Sequence, residues 1–183
     1  MSVKANKKCK VCKIEFEPKK PLQSVCGYEC ALTYAKGKLA ERQAKESKKR
    51  QSERKESLKK KSDYLKDAKK VFQLWIRKRD FDQPCISCGC KESNQWAGGH
   101  YFSAYPFTGL IFEETNCHKQ CNSKCNKYLS GNLTEYRKGL IQRYGIEYVE
   151  NLERLSETQR TKAWSKDELI EMKKKYLNYL KNY

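Results

Sequence analysis

Residues 114–132 read ETNCHKQCNSKCNKYLSGN, and the fold turns on them. Three residues separate Cys121 from Cys125, a spacing that lets two thiolates reach one ion from a single tight turn. Upstream, Cys85 and Cys88 form a C-x2-C pair, with thirty-two residues between Cys88 and Cys121. Four thiolates complete the tetrahedral coordination that zinc takes in structural sites. The spacing therefore predicts a zinc-stapled module whose long insert is held at both ends. Buried free thiols would not need two clustered pairs. Cys90 and Cys117 are left over. CISCGC offers three sulfurs, of which Cys85 and Cys88 match the x2 spacing. Cys117 reads as a small core residue on a strand.

The same logic appears at the start of the chain. Cys9-x2-Cys12, thirteen residues, then Cys26-x3-Cys30 predict a second zinc site. Lys7, Lys8, Lys10, Lys13, Lys19 and Lys20 surround it, which suits a structural or substrate-gripping module. It contains no histidine.

The bulk properties fit small metal-stapled modules joined by polar helix. The chain has 183 residues, 34% of them charged, and 38% are apolar. A large single core is excluded by that balance. A formal charge of +18 creates a field that attracts polyanions, nucleic acid first among them. The N-terminal MSVKANKKCKVC lacks an apolar stretch of signal-peptide type, and no apolar run is long enough to span a membrane. The expectation is a cytoplasmic protein. Ten cysteines in a reducing compartment then argue for metal rather than disulfides.

Between the cysteine modules, residues 33–61 are rich in Lys, Glu, Arg, Gln and Ser. They predict a solvated basic helix with Glu41–Lys45 and Glu46–Arg50 pairs and no coiled-coil seam. From Ser62, a good N-cap, Leu65, Ala68, Phe72, Trp75, Ile76 and Arg79 recur at helical spacing. Pro84 ends that helix. QWAGGHYF and TGLIFEE read as short strands. Asn132 with Glu135 predicts a capped helix that stops near Gly145, followed by a shorter one. Ser165 with Glu168, flanked by Trp164 and Leu169, predicts the start of the last helix.

The insert holds both histidines of the chain, His100 and His118. In order it presents His100 and Asn116, with Asn126 directly after the last zinc cysteine. That order, wrapped by a four-cysteine site, resembles the HNH or ββα-metal nuclease motif. The chemistry gives a reason for these residue types. Phosphodiester hydrolysis needs an activated water, and a neutral histidine near pH 7 suits its deprotonation. A hard cation, Mg²⁺ or Mn²⁺, takes oxygen ligands such as an asparagine carbonyl and clamps phosphate oxygens. A central asparagine ties a loop and orients the histidine. For His118, a packing role and a metal-shell role both stand. Trp96 and Tyr101 suit base stacking or core packing.

The segments RDFDQPCISCG, QWAGGHY, NCHKQC…CN and SGNLTEYR, in that order, resemble the NinG/Rap family of lambdoid phage recombination endonucleases. The resemblance covers nearly the whole chain and is strongest over residues 62–145. It implies a structure-specific nuclease that cuts branched DNA, such as Holliday junctions and D-loops. His100 would be the general base, Asn116 the central asparagine and Asn126 a Mg²⁺ ligand. Cys85, Cys88, Cys121 and Cys125 would hold zinc. Lys59, Lys60, Lys61, Lys119 and Lys127 are the expected DNA contacts. Symmetric cutting of a four-way junction favours a homodimer, although no interface is legible.

The expected architecture is α+β and mostly helical. An N-terminal zinc module spans 1–32, a basic helical linker 33–61, an HNH-like zinc module with its preceding helix 62–145, and a C-terminal helical segment 146–183. One departure stands out. Many HNH enzymes carry an acidic ligand immediately before the catalytic histidine, and here that position is Gly99, leaving His118, Glu113 or Glu114 to complete a metal shell. The other functional readings are a zinc protein that grips nucleic acid without cutting it and a ribosome-associated zinc protein.

Overall fold

The computed structural model describes residues 6–183. The first five residues of the expected N-terminal module lie outside the described residues. The chain divides into two compact units, Met1–Leu58 and Lys59–Tyr183. Among the described residues no helix is long and apolar enough to cross a membrane.

The first unit begins with a small antiparallel pair, β1 (Lys7–Lys8) and β2 (Glu15–Phe16), with Lys7 opposite Phe16. The turn between them carries Cys9 and Cys12. Lys13 closes it with a left-handed φ of 65°. Cys26 and Cys30 bracket the start of α1 (Tyr28–Ser57). This helix starts earlier than the sequence suggested and buries no residue. At ~1.5 Å per residue its thirty residues extend about 45 Å. Its ion pairs include Lys38–Glu41, Arg42–Glu46 and Lys49–Glu53, all exposed. Such pairs contribute only tenths of a kcal/mol each, so α1 rests on helix propensity and solvation.

The second unit is a hairpin between two layers of helix. α2 (Lys61–Arg79) is followed by β3 (Trp96–His100), β4 (Cys117–Cys121), α3 (Leu133–Tyr144), α4 (Ile146–Thr158) and α5 (Lys166–Asn182). The strands pair antiparallel, with Trp96 opposite Cys121 and His100 opposite Cys117. One face of the hairpin meets α2 and α5. Phe72 and Ile76 of α2 cluster there with Cys117, Ile111, Phe112, Leu169 and Tyr176. Gly98 makes this contact close: a Cβ on it would stand 3.1 Å from the Gln73 Cα. Towards the other side, Tyr136, Leu140, Val149 and Leu152 of α3 and α4 pack on Ile86. The Tyr136 hydroxyl donates to the Gly99 carbonyl at 2.8 Å.

Several expectations needed correction. TGLIFEE is not a strand. Thr108–Leu110 and Glu114–Asn116 are 3-10 turns, and the second strand is Cys117–Cys121. Leu110, Ile111 and Phe112 are buried, but as plugs presented by turns. α2 starts at Lys61, so Ser62 is inside it. Asp63 caps it by accepting the Lys60 N–H at 2.9 Å. Asn132 does not cap α3 with its side chain. It adopts a left-handed backbone (φ 47°, ψ 55°), a region asparagine tolerates. Glu135 pairs with Lys138 instead. The last helix starts as the sequence indicates: Ser165 Oγ accepts from the Glu168 N–H, and Glu168 accepts from the Ser165 N–H.

Candidate zinc centres and the hairpin site

Both cysteine quartets converge. The four sulfurs of Cys9, Cys12, Cys26 and Cys30 lie within 4.8 Å of one another, as do those of Cys85, Cys88, Cys121 and Cys125. A tetrahedral zinc with Zn–S of ~2.3 Å sets sulfurs about 3.8 Å apart. Cys121 Sγ lies 3.8 Å from Cys85 Sγ and 3.8 Å from Cys88 Sγ. In the first unit, Cys26 Sγ is 3.5 Å from Cys12 and 3.6 Å from Cys30. These separations suit a shared ion and are far too long for a disulfide. The donor set therefore fits two structural zinc ions.

Local structure explains how each ligand is placed. The Cys121 N–H points to Cys85 Sγ at 3.3 Å, the Cys26 N–H to Cys9 Sγ at 3.4 Å, and Asn132 Nδ2 to Cys125 Sγ at 3.6 Å. Such donors favour thiolate. Burial opposes ionisation of Cys88, but hydrogen bonds from the Cys90 backbone and neighbouring thiols draw it down to about 6. Cys90, outside the quartet, is pushed up to about 12 by burial and the Cys88 thiol. The x3 spacing of Cys121 and Cys125, where x2 is commoner in HNH modules, is accommodated by a π-helix, Asn122–Tyr128. Its wider turn, bonded i to i+5, keeps Cys125 in the cluster despite the x3 spacing.

His100 and Asn116 meet at the far end of the hairpin. Asn116 is fully buried and ties the loop with three bonds. Its Oδ1 accepts the Phe102 N–H at 2.7 Å, and its Nδ2 donates to the carbonyls of Phe102 (3.0 Å) and Leu110 (3.1 Å). His100 Nε2 donates to the Ile111 carbonyl at 2.9 Å, since that oxygen can only accept. Nδ1 is then the unprotonated nitrogen and accepts from the buried Cys117 thiol, its Sγ 3.9 Å away. Burial drives the His100 pKa down to about 4, with the Ile111 bond opposing and the charge of Lys69 adding to it. The imidazole is neutral at pH 7.

Asn126 lies at the other end. Its Nδ2 donates to Asn122 Oδ1 at 3.2 Å, and Asn122 donates in turn to Gln95 Oε1 at 3.1 Å. Gln95 adjoins Trp96, four steps from His100, or about 13 Å at ~3.3 Å per residue. The fold thus unites His100 with Asn116 and sets Asn126 beside the zinc quartet. Outside the two quartets, no three or more His, Cys, Asp or Glu side chains converge among the described residues. A protein-built cage of oxygen ligands for Mg²⁺ does not fit this arrangement.

Gly99 has a structural reason. A Cβ there would overlap Gln120 Oε1, on the strand face opposite His100. An acidic side chain at this position would point away from the His100 face.

His118 is almost fully buried in a polar network that sequence reasoning missed. Arg79 Nη2 donates to its Nδ1 at 3.2 Å, and its Nε2 donates to the Thr115 carbonyl at 3.1 Å. Arg79 also holds Asp80 and the carbonyls of Glu114 and Cys117. Asp80 accepts the Lys119 N–H at 2.9 Å. Burial opposes the Asp80 charge, but Arg79 and the Lys119 N–H hold its carboxyl well below the usual range. One signal was present: an acid at a helix C-terminus opposes the macrodipole, so a tertiary partner had to hold it. Neither Glu113 nor Glu114 approaches His100 by any hydrogen bond. Glu113 caps Thr115, and Glu114 accepts from Trp75 and Tyr176.

Of the expected DNA contacts, Lys60, Lys61 and Lys127 are exposed. Lys59 pairs with Asp67 at 3.0 Å. Lys119 is buried, donating to the Phe81 carbonyl at 2.6 Å.

The family model described as Bacteriophage Lambda NinG protein matches residues 1–183. The chain belongs to the NinG family. It is 38% identical over 200 aligned residues to Protein ninG of Escherichia phage 933W, covering 100% of this chain and 96% of that protein. It is 41% identical over 122 residues to Protein ninG of Escherichia phage lambda, covering 67% of this chain and 58% of that one. No solved structure matches. The resemblance seen in the cysteine and loop motifs thus extends over residues 1–183.

Proposed function

We propose that this NinG-family chain is an endonuclease acting on branched DNA, with His100 as the general base. The observation that carries the proposal is the end of the hairpin where His100 and Asn116 meet. Asn116 fixes the loop from Phe102 to Leu110, and the Ile111 carbonyl fixes the histidine tautomer. A neutral imidazole with a defined unprotonated nitrogen is suited to take a proton from water attacking a phosphodiester, and in this reading Nδ1 exchanges its weak Cys117 thiol partner for that water. The formal charge of +18 supplies the attraction to the polyanionic substrate. Both zinc quartets would be structural in this reading. A divalent cation would arrive with the substrate phosphates, since the protein offers no ready cage for it.

A second reading, a zinc protein that grips DNA without cutting it, draws support from the separation of Asn126 from His100. One experiment divides the two. Labelled four-way junctions and linear duplex are incubated with the protein and Mg²⁺, Mn²⁺ or EDTA. The nuclease reading expects cation-dependent cutting of the junction, reduced about 10²–10⁴-fold by His100→Ala at unchanged zinc content. Binding without cutting under any cation would leave the second reading standing.

A further inference from the structure

A cavity of about 620 Å³ opens beside the second zinc quartet, within the range of small-ligand sites. Arg77, Phe81, Lys91, Trp96 and Lys119 line it, and no acidic residue does. Gln95 and Asn122 complete the wall with their paired amides. Three cations, two aromatic rings and two amides converge on one opening about four strand residues from His100.

Phe81 is the unusual member. It is 75% exposed, yet it sits on a firmly held turn. The Phe81 N–H donates to the Lys78 carbonyl, and the Gln83 N–H to the Asp80 carbonyl. The Lys119 ammonium grips the Phe81 carbonyl, and Asp80, just before it, is locked to Arg79 and to the Lys119 N–H. The chain therefore spends a buried ion pair and a buried lysine on presenting an apolar ring to solvent. Trp96 differs: the Lys119 ammonium lies 4.4 Å from its ring centroid, so one face is occupied and the ring serves as a wall. The open aromatic face belongs to Phe81.

We propose that this cavity binds an unpaired nucleotide of branched DNA, with the base stacked on Phe81 and its phosphates held by Arg77 and Lys91. The proposal rests on the branched-DNA reading above. A base in duplex has both faces stacked on its neighbours, whereas an unpaired base at a branch offers a face to an aromatic ring. The Gln95 and Asn122 amides supply hydrogen bonds to a base edge. Arg77 and Lys91 carry no base preference, because phosphate contacts set position rather than sequence. The site would place the branch point beside the zinc quartet and direct the paired arms along the hairpin.

The test measures binding of the full zinc-loaded chain, in EDTA-free buffer without Mg²⁺, to three labelled probes of matched sequence. These are single strand, fully paired duplex and a forked duplex with unpaired arms. Phe81→Ala is expected to weaken single-strand and fork binding by about 5- to 150-fold, the loss associated with one base–aromatic stack. Duplex binding should change less than about twofold. Phe81→Trp should restore fork binding. Arg77→Gln with Lys91→Gln should lower the log–log salt slope for single strand by about 1.4, at ~0.7 per phosphate contact. Equal weakening of all three probes by Phe81→Ala, or no weakening of any, overturns the proposal. An unmodified chain that binds no probe overturns the branched-DNA reading and the subsite with it. A chain that binds and cuts junctions while Phe81→Ala leaves fork binding intact loses the subsite alone.

Discussion

The loop tie at Asn116 makes a quantitative prediction. Asn116→Ala removes two donors and one acceptor from a site with no solvent exposure. The Phe102 N–H and carbonyl belong to a half-buried residue, and water can replace the lost partner at about 1 kcal/mol each. The Leu110 carbonyl is on a fully buried residue but keeps the Glu113 N–H at 3.3 Å, so its loss is also about 1 kcal/mol. The sum is about 3 kcal/mol, against a total of ~5–15 kcal/mol for a domain of this kind. With a urea slope of about 2 kcal/mol per M, the midpoint should fall by roughly 1.5 M. Asn116→Asp should cost at least as much despite its matching shape, because a carboxylate oxygen would replace the amide nitrogen facing two carbonyls. Asn122→Ala, which removes an exposed bond to Gln95 and one from the half-buried Asn126, is the control and should move the midpoint by less than about 0.3 M. Circular dichroism of zinc-loaded protein across urea gives the midpoints. A shift below about 0.5 M for Asn116→Ala would refute the claim that this side chain holds the loop.

Three further outcomes follow from the same geometry. Metal analysis should find two zinc ions per chain. Cys85→Ser should lose one and abolish the cooperative unfolding of the second unit, because structural zinc contributes ~10–16 kcal/mol in small modules, whereas Cys90→Ser should keep both. His100 is depressed to about 4 when folded, against 6.5 unfolded. Its contribution is therefore complete above pH 6.5 and lost as pH falls towards 4, by about 3 kcal/mol in all. The stability difference between the parent and His100→Gln should drift in the parent's disfavour over that window in denaturant titrations, and a constant difference would contradict the burial of the ring. Gly99→Ala should destabilise by more than about 2 kcal/mol, read as a fall in melting temperature, because its Cβ would overlap the buried Gln120 side chain.

What the sequence disclosed is what short-range rules govern. Metal-ligand pairs at x2 and x3 spacing are set by one turn of chain each, so both quartets were readable before any fold was known. The α2 stripe and the Ser165–Glu168 box are equally local. A strand was expected at Cys117, but the extent of β4 was hidden because CHKQC is buried throughout, and its polar donors are satisfied from outside the strand. Asp80 takes the Lys119 N–H, while Gln120 donates to Ser87 and Gly131. No apolar alternation marks such a strand. The run Leu110–Phe112 misled for the converse reason, since turns can present apolar plugs to a core. Asn132 looked like a cap, but the turn after Ser130 and Gly131 needed a left-handed residue, and Cys125 engaged its amide. Neither the placement of Asn126 nor the exposure of Phe81 follows from spacing, because each depends on how the π-helical turn and the 80–84 turn are anchored from a distance.

The two ends of the hairpin are closed by different chemistry, and that division bears on where function can reside. Two five-residue strands do not hold together alone in water. At the Trp96–Cys121 end, closure falls to the thiolate cluster, which a metal can lock. At the His100–Cys117 end it falls to Asn116, the Arg79 network and the aromatic core around Phe72, none of which needs a metal. Because the second closure is metal-independent, His100 keeps a fixed tautomer without being a ligand of either zinc, and its Nδ1 faces only the thiol of Cys117. The zinc end, by contrast, leaves its outer wall to Phe81, Arg77 and Lys91, side chains the quartet does not use. One short hairpin can therefore carry a recognition surface at its metal-closed end and a reactive group at its hydrogen-bonded end. The separation of about 13 Å would keep a gripped branch point away from the phosphodiester being attacked.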